Sequence, residues 1–153
     1  MATNDRSTTT VVVNRKARHD YEILDSVEAG IVLRGTEVKS VRQGHISLQE
    51  GYVVPRNGEL WLEGCRINPY EQGNIFNHDP MRQRKLLLNR KEIDKLVKRV
   101  AEKGLTMVPL SAYFKGRNLK IQVGLARGKK SYDKRQSIKE KDIKKRMRKV
   151  MEQ

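Results

Sequence analysis

The last 27 residues, Arg127 to Gln153, hold 12 of the 33 Lys+Arg in the chain and only 4 of its 18 Asp+Glu. They carry +8 of the formal net charge of +15, and the other 126 residues carry +7. The stretch has no Cys, Trp or Phe, and its only aromatic is Tyr132. A segment of this kind cannot bury enough apolar surface to offset the entropy of ordering itself. It must find its structure on a partner, and its charge makes that partner a polyanion. RNA and DNA are the common polyanions of fixed shape. The folded unit has to come from the residues before it.

Those residues are enough for one domain that buries its own core. No run of about 18 apolar residues exists to span a bilayer. The basic tail lacks the Trp, Phe and Leu of an interfacial anchor. Met1 to Thr10 is polar and Thr-rich with no apolar signal region, so a cytoplasmic protein is expected. The single Cys65 excludes an internal disulfide and fits a reducing compartment.

Residues 1–13 read as a flexible leader, 14–130 as the folded domain, and 131–153 as a tail. Asp20–Leu24 and Ala29–Leu33 read as strands. Asn57-Gly58 supplies the positive φ angles of a tight turn between strands 51–55 and 59–63. A second hairpin joins 110–114 to 119–123 through Lys115-Gly116-Arg117-Asn118. Asn89 and Glu92 form a reciprocal cap before the stripe Ile93, Leu96, Val97 and Val100, and Gly104 stops that helix. A shorter helix over 37–43 is capped by Thr36 and ended by Gly44. Together these elements predict a mainly β fold with peripheral helices, a small barrel or sandwich. Trp61 and Phe114 fall in strand patterns as core residues. In the tail, Ser137 and Glu140 make a capping box. Ile143, Met147, Val150 and Met151 then share one thin helical face that needs a surface to fold on.

Catalytic and metal motifs are missing from the pattern. His19, His45 and His78 are far apart, and one cysteine gives no ligand spacing. GxSxG, HExxH and CxxC do not occur. Gly124 to Lys130 resembles a phosphate loop only superficially, since it is a residue short and has no Ser or Thr after the lysine. It reads as a strand ending in a basic hinge. No enzyme, metal or cofactor is expected.

Three basic clusters remain outside the tail. They are Arg15, Lys16 and Arg18 beside Asn14 and His19; Arg82, Arg84 and Lys85; and Lys115, Arg117 and Lys120. Clusters of this type serve phosphates by charge and by guanidinium geometry. Aromatics are 5% of the chain, too few for a reader that stacks bases. Recognition of a folded RNA by shape and phosphate contact is favoured.

The ordered segments Asn14-Arg15-Lys16-Ala17-Arg18-His19-Asp20-Tyr21, Glu28-Ala29-Gly30 and Gly35-Thr36-Glu37-Val38-Lys39-Ser40-Val41-Arg42 are also distinctive as a set. So are Asp79-Pro80, Arg84-Lys85-Leu86-Leu87-Leu88-Asn89, Gly124-Leu125-Ala126-Arg127-Gly128-Lys129-Lys130 and Asp133-Lys134-Arg135. In this order the chain resembles the SmpB (small protein B) family, bacterial partners of transfer-messenger RNA, over about residues 12–150. The resemblance implies an oligonucleotide/oligosaccharide-binding (OB) type closed β-barrel with outer helices and a basic C-terminal tail. It implies an adaptor, monomeric and not membrane-bound. Such an adaptor binds the tRNA-like domain of transfer-messenger RNA and works on stalled ribosomes in trans-translation. The family's RNA contacts fall on Asn14, His19, Glu28, Leu87 and Lys120, with basic help from Arg15, Lys16, Arg18, Arg84 and Lys85. The run Leu86-Leu87-Leu88 reads equally as core, and Glu28 equally as a strand-edge salt bridge. The tail's place in the empty message channel, by the small-subunit decoding centre, falls on Gly128, Lys129, Lys130, Asp133, Lys134 and Arg135. Ile143 and Met147 belong to the face that becomes helical there, the tail being disordered when free.

Overall fold

The computed structural model describes residues 8–72 and 77–128. Nine strands and three helices follow in the order β1 (Thr8–Val13), α1 (Arg15–Asp20), β2 (Tyr21–Ile31), α2 (Gly35–Arg42), β3 (Ile46–Ser47), β4 (Tyr52–Arg56) and β5 (Glu59–Glu63). Then come β6 (Arg66–Ile67), β7 (Arg84–Leu87), α3 (Arg90–Lys103), β8 (Thr106–Lys115) and β9 (Asn118–Gly128). The fold is mainly β with peripheral helices.

Local chemistry explains the tight turns. Asn57 and Gly58 take φ of 54° and 75°, and Arg56 pairs with Glu59 across them. That is the two-residue turn whose twist matches the flanking strands. The second hairpin closes as tightly. Lys115 faces Asn118, so the tip is Gly116-Arg117 alone, with Gly116 at φ 64°. Helix α3 starts at Asn89, whose N–H donates to the Glu92 carboxylate at 3.1 Å. It ends on Gly104 in the left-handed region.

The largest sheet runs β1-β8-β4-β5-β7-β2-β9, and β9 also pairs with β8. The β8 edge away from β9 is shared, β1 pairing with residues 111–115 and Val53 of β4 with Met107. Six strands, β8, β4, β5, β7, β2 and β9, thus have hydrogen-bonded neighbours on both sides, although β4 meets β8 at one residue pair and β2 meets β7 at two. The inward alternate residues form the core, including Val53, Leu60, Leu62, Leu86, Met107, Ile121, Val123 and Leu125. Burying each large aliphatic side chain contributes about 1.5–3 kcal/mol. Ile93 and Leu96 dock α3 on this core, and Val41 docks α2.

Several sequence expectations change. Thr8–Val13, assigned to the leader, form β1 against β8. The two strands expected over 20–33 are one, β2, with a bulge between Ile23 and Asp25. Arg34, not Thr36, is the N-cap of α2. Its N–H donates to Glu37 at 2.7 Å, while the Thr36 hydroxyl pairs instead with Nδ1 of His78 at 2.9 Å. Phe114 is buried as expected, but Trp61 is only half-buried, and its Nε1 donates to the Arg56 carbonyl at 3.3 Å.

One polar cluster lies inside the fold. Glu37 and Arg84 are both fully buried. Arg84 Nε donates to Glu37 at 2.6 Å, and its other nitrogens donate to the carbonyls of Cys65, Asp79 and Pro80. Arg82 donates to the same carboxylate from the side. Every nitrogen of the buried guanidinium thus meets an acceptor, the condition for tolerating a buried charge. The cluster ties α2 to β7 and to the segment 79–80 before it.

Candidate nucleic-acid interface

Successive residues of a strand point to opposite faces of the sheet. On β8, β9 and β2 the face turned away from the core carries two distinct regions. The first is apolar. Val108, Leu110 and Ala126 pack with Tyr21, Ile23 and Ala17. Gly124 lets Leu110 lie flat on the sheet, since a Cβ there would stand 2.8 Å from the Leu110 Cδ1. Ala17 brings α1 onto this region, and Asn14 pins the start of the helix. The Asn14 side-chain oxygen accepts from the Ala17 N–H at 3.1 Å, and its amide donates to the carbonyls of Leu48 and Pro109. With Ala17 inward, Arg15, Lys16, Arg18 and His19 are exposed.

The second region is polar and continues along the same face. The register sets Glu28 opposite Gln122, Gly30 opposite Lys120, and Tyr113 opposite Lys120. The Gln122 amide donates to the Ser26 hydroxyl at 3.0 Å, and Ser111 donates to the Gln122 carbonyl oxygen at 3.4 Å. The Tyr113 hydroxyl donates to Glu28, and Lys115 lies 3.5 Å from the other carboxylate oxygen. The Tyr113 donation, together with Lys115 and Lys120, holds the Glu28 carboxyl below its ordinary range despite some desolvation. Burial first, and then the neighbouring carboxylate, push the Tyr113 phenol well above its usual value. Beside them, Gly30 pairs with Leu87, which is 50% exposed. A groove of about 350 Å³ runs there, lined by Gly30, Leu87, Phe114, Arg117, Asn118 and Lys120.

The residues singled out in the sequence divide accordingly. Arg15, Lys16, Arg18 and His19 on α1 share one sheet face with Glu28, Leu87 and Lys120. Lys16 pairs with Glu50 at 2.9 Å, Lys85 with Glu59 at 3.4 Å, and His19 Nδ1 with Asp20 at 3.0 Å. Glu50 is exposed and Glu59 partly so, and a phosphate can displace them at little cost, whereas the Asp20 side chain is mostly buried. Asn14 and Arg84 are different. At 2% and 0% exposure their polar groups are consumed inside the fold, which differs from the RNA contact expected of them. Leu86 is the core member of its run and Leu87 is not. Glu28 pairs with Gln122 on the β9 side, lies before the two β2 residues that pair with β7, and has Lys115 at 3.5 Å. Gly128 ends β9 opposite Tyr21, the residue that follows α1. Lys129, Lys130, Asp133, Lys134, Arg135, Ile143 and Met147 lie outside the described residues. Sequence reasoning missed Tyr113. Alternation along β8 could have turned it outward, but nothing local signals its carboxylate partner.

Among the described residues no group of three or more His, Cys, Asp or Glu is placed to hold a metal. No helix among them is long and apolar enough to cross a membrane. Burial raises the Cys65 thiol to about 11, and the core encloses it, which makes it a poor nucleophile.

A small β domain whose one outward face pairs a basic helix with ordered polar side chains belongs to the class of protein modules that meet a polyanion. Comparison with known proteins makes this specific. The model of the SmpB protein family matches residues 11–153. The SsrA-binding protein of Enterococcus faecalis is 56% identical over 133 residues, covering 87% of this chain and 86% of its own length. That of Acetivibrio thermocellus is 58% identical over 132 residues, 86% of each. A chain in a solved structure described as "tmRNA-SmpB: a journey to the center of the bacterial ribosome" superposes with a TM-score of 0.65 at 52% identity. That match spans 77% of this chain and 83% of the other. The chain belongs to the SmpB family.

Proposed function

We propose that the protein is the transfer-messenger RNA adaptor of trans-translation. It binds the tRNA-like domain with the face formed by α1, β2, β8 and β9 and accompanies that RNA to stalled ribosomes. The observation that carries this reading is the convergence of α1 with Glu28, Leu87 and Lys120 on one outward face, in a chain of this family. Arg15, Arg18, Arg117 and Lys120 supply phosphate contacts. Lys16 and Lys85 join by exchanging a surface carboxylate for a phosphate. Asn14 and Arg84 act from inside, by fixing α1 and β7. The continuous pairing from β8 through β4, β5, β7, β2 and β9 back to β8 supports a closed OB-type barrel as the rigid body. The tail after Gly128 enters the empty message channel near the decoding centre, and Ile143 and Met147 face ribosomal RNA as it becomes helical. The adaptor is a cytoplasmic monomer with no chemical step of its own.

Binding of this kind releases counterions. Each phosphate neutralised contributes a slope of about −0.7 to −0.9 in log K against log salt. With α1 and the second hairpin engaged, roughly four to eight contacts are expected. Titrating the full chain with the tRNA-like domain between low and physiological salt measures the slope. A value shallower than about −2 would mean that the basic face is solvated and that the affinity lies elsewhere.

A further inference from the structure

Glu28 poses a problem for a surface that meets RNA, because a carboxylate there repels phosphate. The geometry around it resolves the problem. One carboxylate oxygen accepts from the Tyr113 hydroxyl, and Lys115 approaches the other at 3.5 Å. Tyr113 is half-buried on the neighbouring strand pair and faces Lys120 across the ladder. A glutamate free in solvent samples several rotamers and loses them on binding. Here the side chain is tied to one place on the sheet. Each carboxylate oxygen offers two lone-pair sites, so acceptor positions remain that point away from Tyr113 and Lys115.

We propose that Tyr113 is a positioning residue of RNA recognition. It holds the Glu28 carboxylate as a pre-oriented acceptor for hydrogen-bond donors of the RNA, base amino groups or ribose hydroxyls, rather than for phosphate. The phenol spends its one donor on Glu28 and acts through it. The proposal rests on the RNA-binding reading above and adds to it the residue that makes the acidic member useful. It also assigns a division of labour on one face. Lys120 and Arg117 take phosphate at the groove, and Glu28 reads donors beside them.

The test uses the full chain and a transcript of the tRNA-like domain of transfer-messenger RNA. Tyr113→Phe removes the hydroxyl and keeps the ring. It should weaken binding about tenfold or more, the usual size for a hydrogen bond to a charged group. In a Glu28→Ala background, which leaves the phenol no acceptor, the same substitution should change affinity less than about twofold, because partners in one interaction are not additive. Glu28→Asp keeps the charge but withdraws the carboxylate from the phenol, and should resemble Tyr113→Phe. The pH profile gives a separate reading. The groups facing Glu28 are Tyr113 and Lys115 of β8 and Lys120 of β9. Removing the hydroxyl lets the carboxyl titrate closer to its ordinary value. Binding by Tyr113→Phe should therefore fall off at a higher pH than binding by the wild type as the solution is acidified. Unchanged affinity of Tyr113→Phe would overturn the proposal. So would a loss of equal size with and without Glu28, which would make Tyr113 an independent contact. If the wild type itself fails to bind the transcript, it is the RNA-binding reading that fails.

Discussion

Truncation after Lys130 will stop peptide tagging on stalled ribosomes while the domain stays folded and keeps its RNA. The last ladder pair is Gly128 with Tyr21, and no described strand or core residue lies beyond it. The removed residues are mostly polar and charged, and the core formed by the described residues is kept whole. The outward face of α1, β2, β8 and β9 remains whole, and the fall in affinity for transfer-messenger RNA should stay within about tenfold, an electrostatic loss. Tagging should drop to background, because the segment assigned to the message channel is gone. Full-length protein with Ile143→Asp and Met147→Asp should behave the same way, since carboxylates on the helical face would repel ribosomal RNA. A tagging assay beside a binding titration separates the two functions. Normal tagging by the truncated chain would refute the role assigned to the tail.

The second large effect is on stability. Glu37→Ala leaves Arg84 buried without its counter-charge and Arg82 without its main acceptor. Breaking a buried pair from one side costs about 3–5 kcal/mol. A domain of this size has about 5–15 kcal/mol in all. The variant should show a much lower denaturant midpoint, with an unchanged slope if the transition stays two-state. Acid should act through the same group. Burial pushes the Glu37 carboxyl up, but donations from Arg82, from the Arg34 N–H and from Arg84 outweigh it and hold it below the ordinary 4.5. A depressed carboxyl stabilises the fold above its unfolded value and loses that contribution as pH falls through its folded value. The wild type should therefore lose stability below about pH 4.5 more steeply than Glu37→Ala does. Denaturation midpoints at a series of pH values check both statements, and parallel curves for the two proteins would contradict them.

How much of this was legible depends on how local each signal is. The Asn57-Gly58 turn and the Asn89, Glu92 and Gly104 caps are written within a few residues and appear as read. Helix α1 was not legible. It has six residues, no apolar stripe, and one buried side chain, Ala17, whose partners sit on β8 and β9. Strand β1 is three Thr followed by three Val at the sheet edge, and it pairs with residues about a hundred positions later. Arg84 looked like a phosphate ligand because its neighbours are basic. Its true partner, Glu37, lies 47 residues away in sequence. The site was named mainly through family resemblance, since neither charge nor alternation singles out Glu28 or Leu87. Their company on one face is a product of the register between β2, β7 and β9, which no local pattern encodes.

An adaptor matched to one RNA should leave its cells with that RNA. Isolating the protein at physiological salt and sequencing the RNA that accompanies it should yield a single dominant species, transfer-messenger RNA, with the protein substoichiometric to ribosomes and enriched on stalled ones. Ribosomal RNA alone, with the protein at unit stoichiometry on every ribosome, would contradict that role and would make the chain a structural ribosomal component.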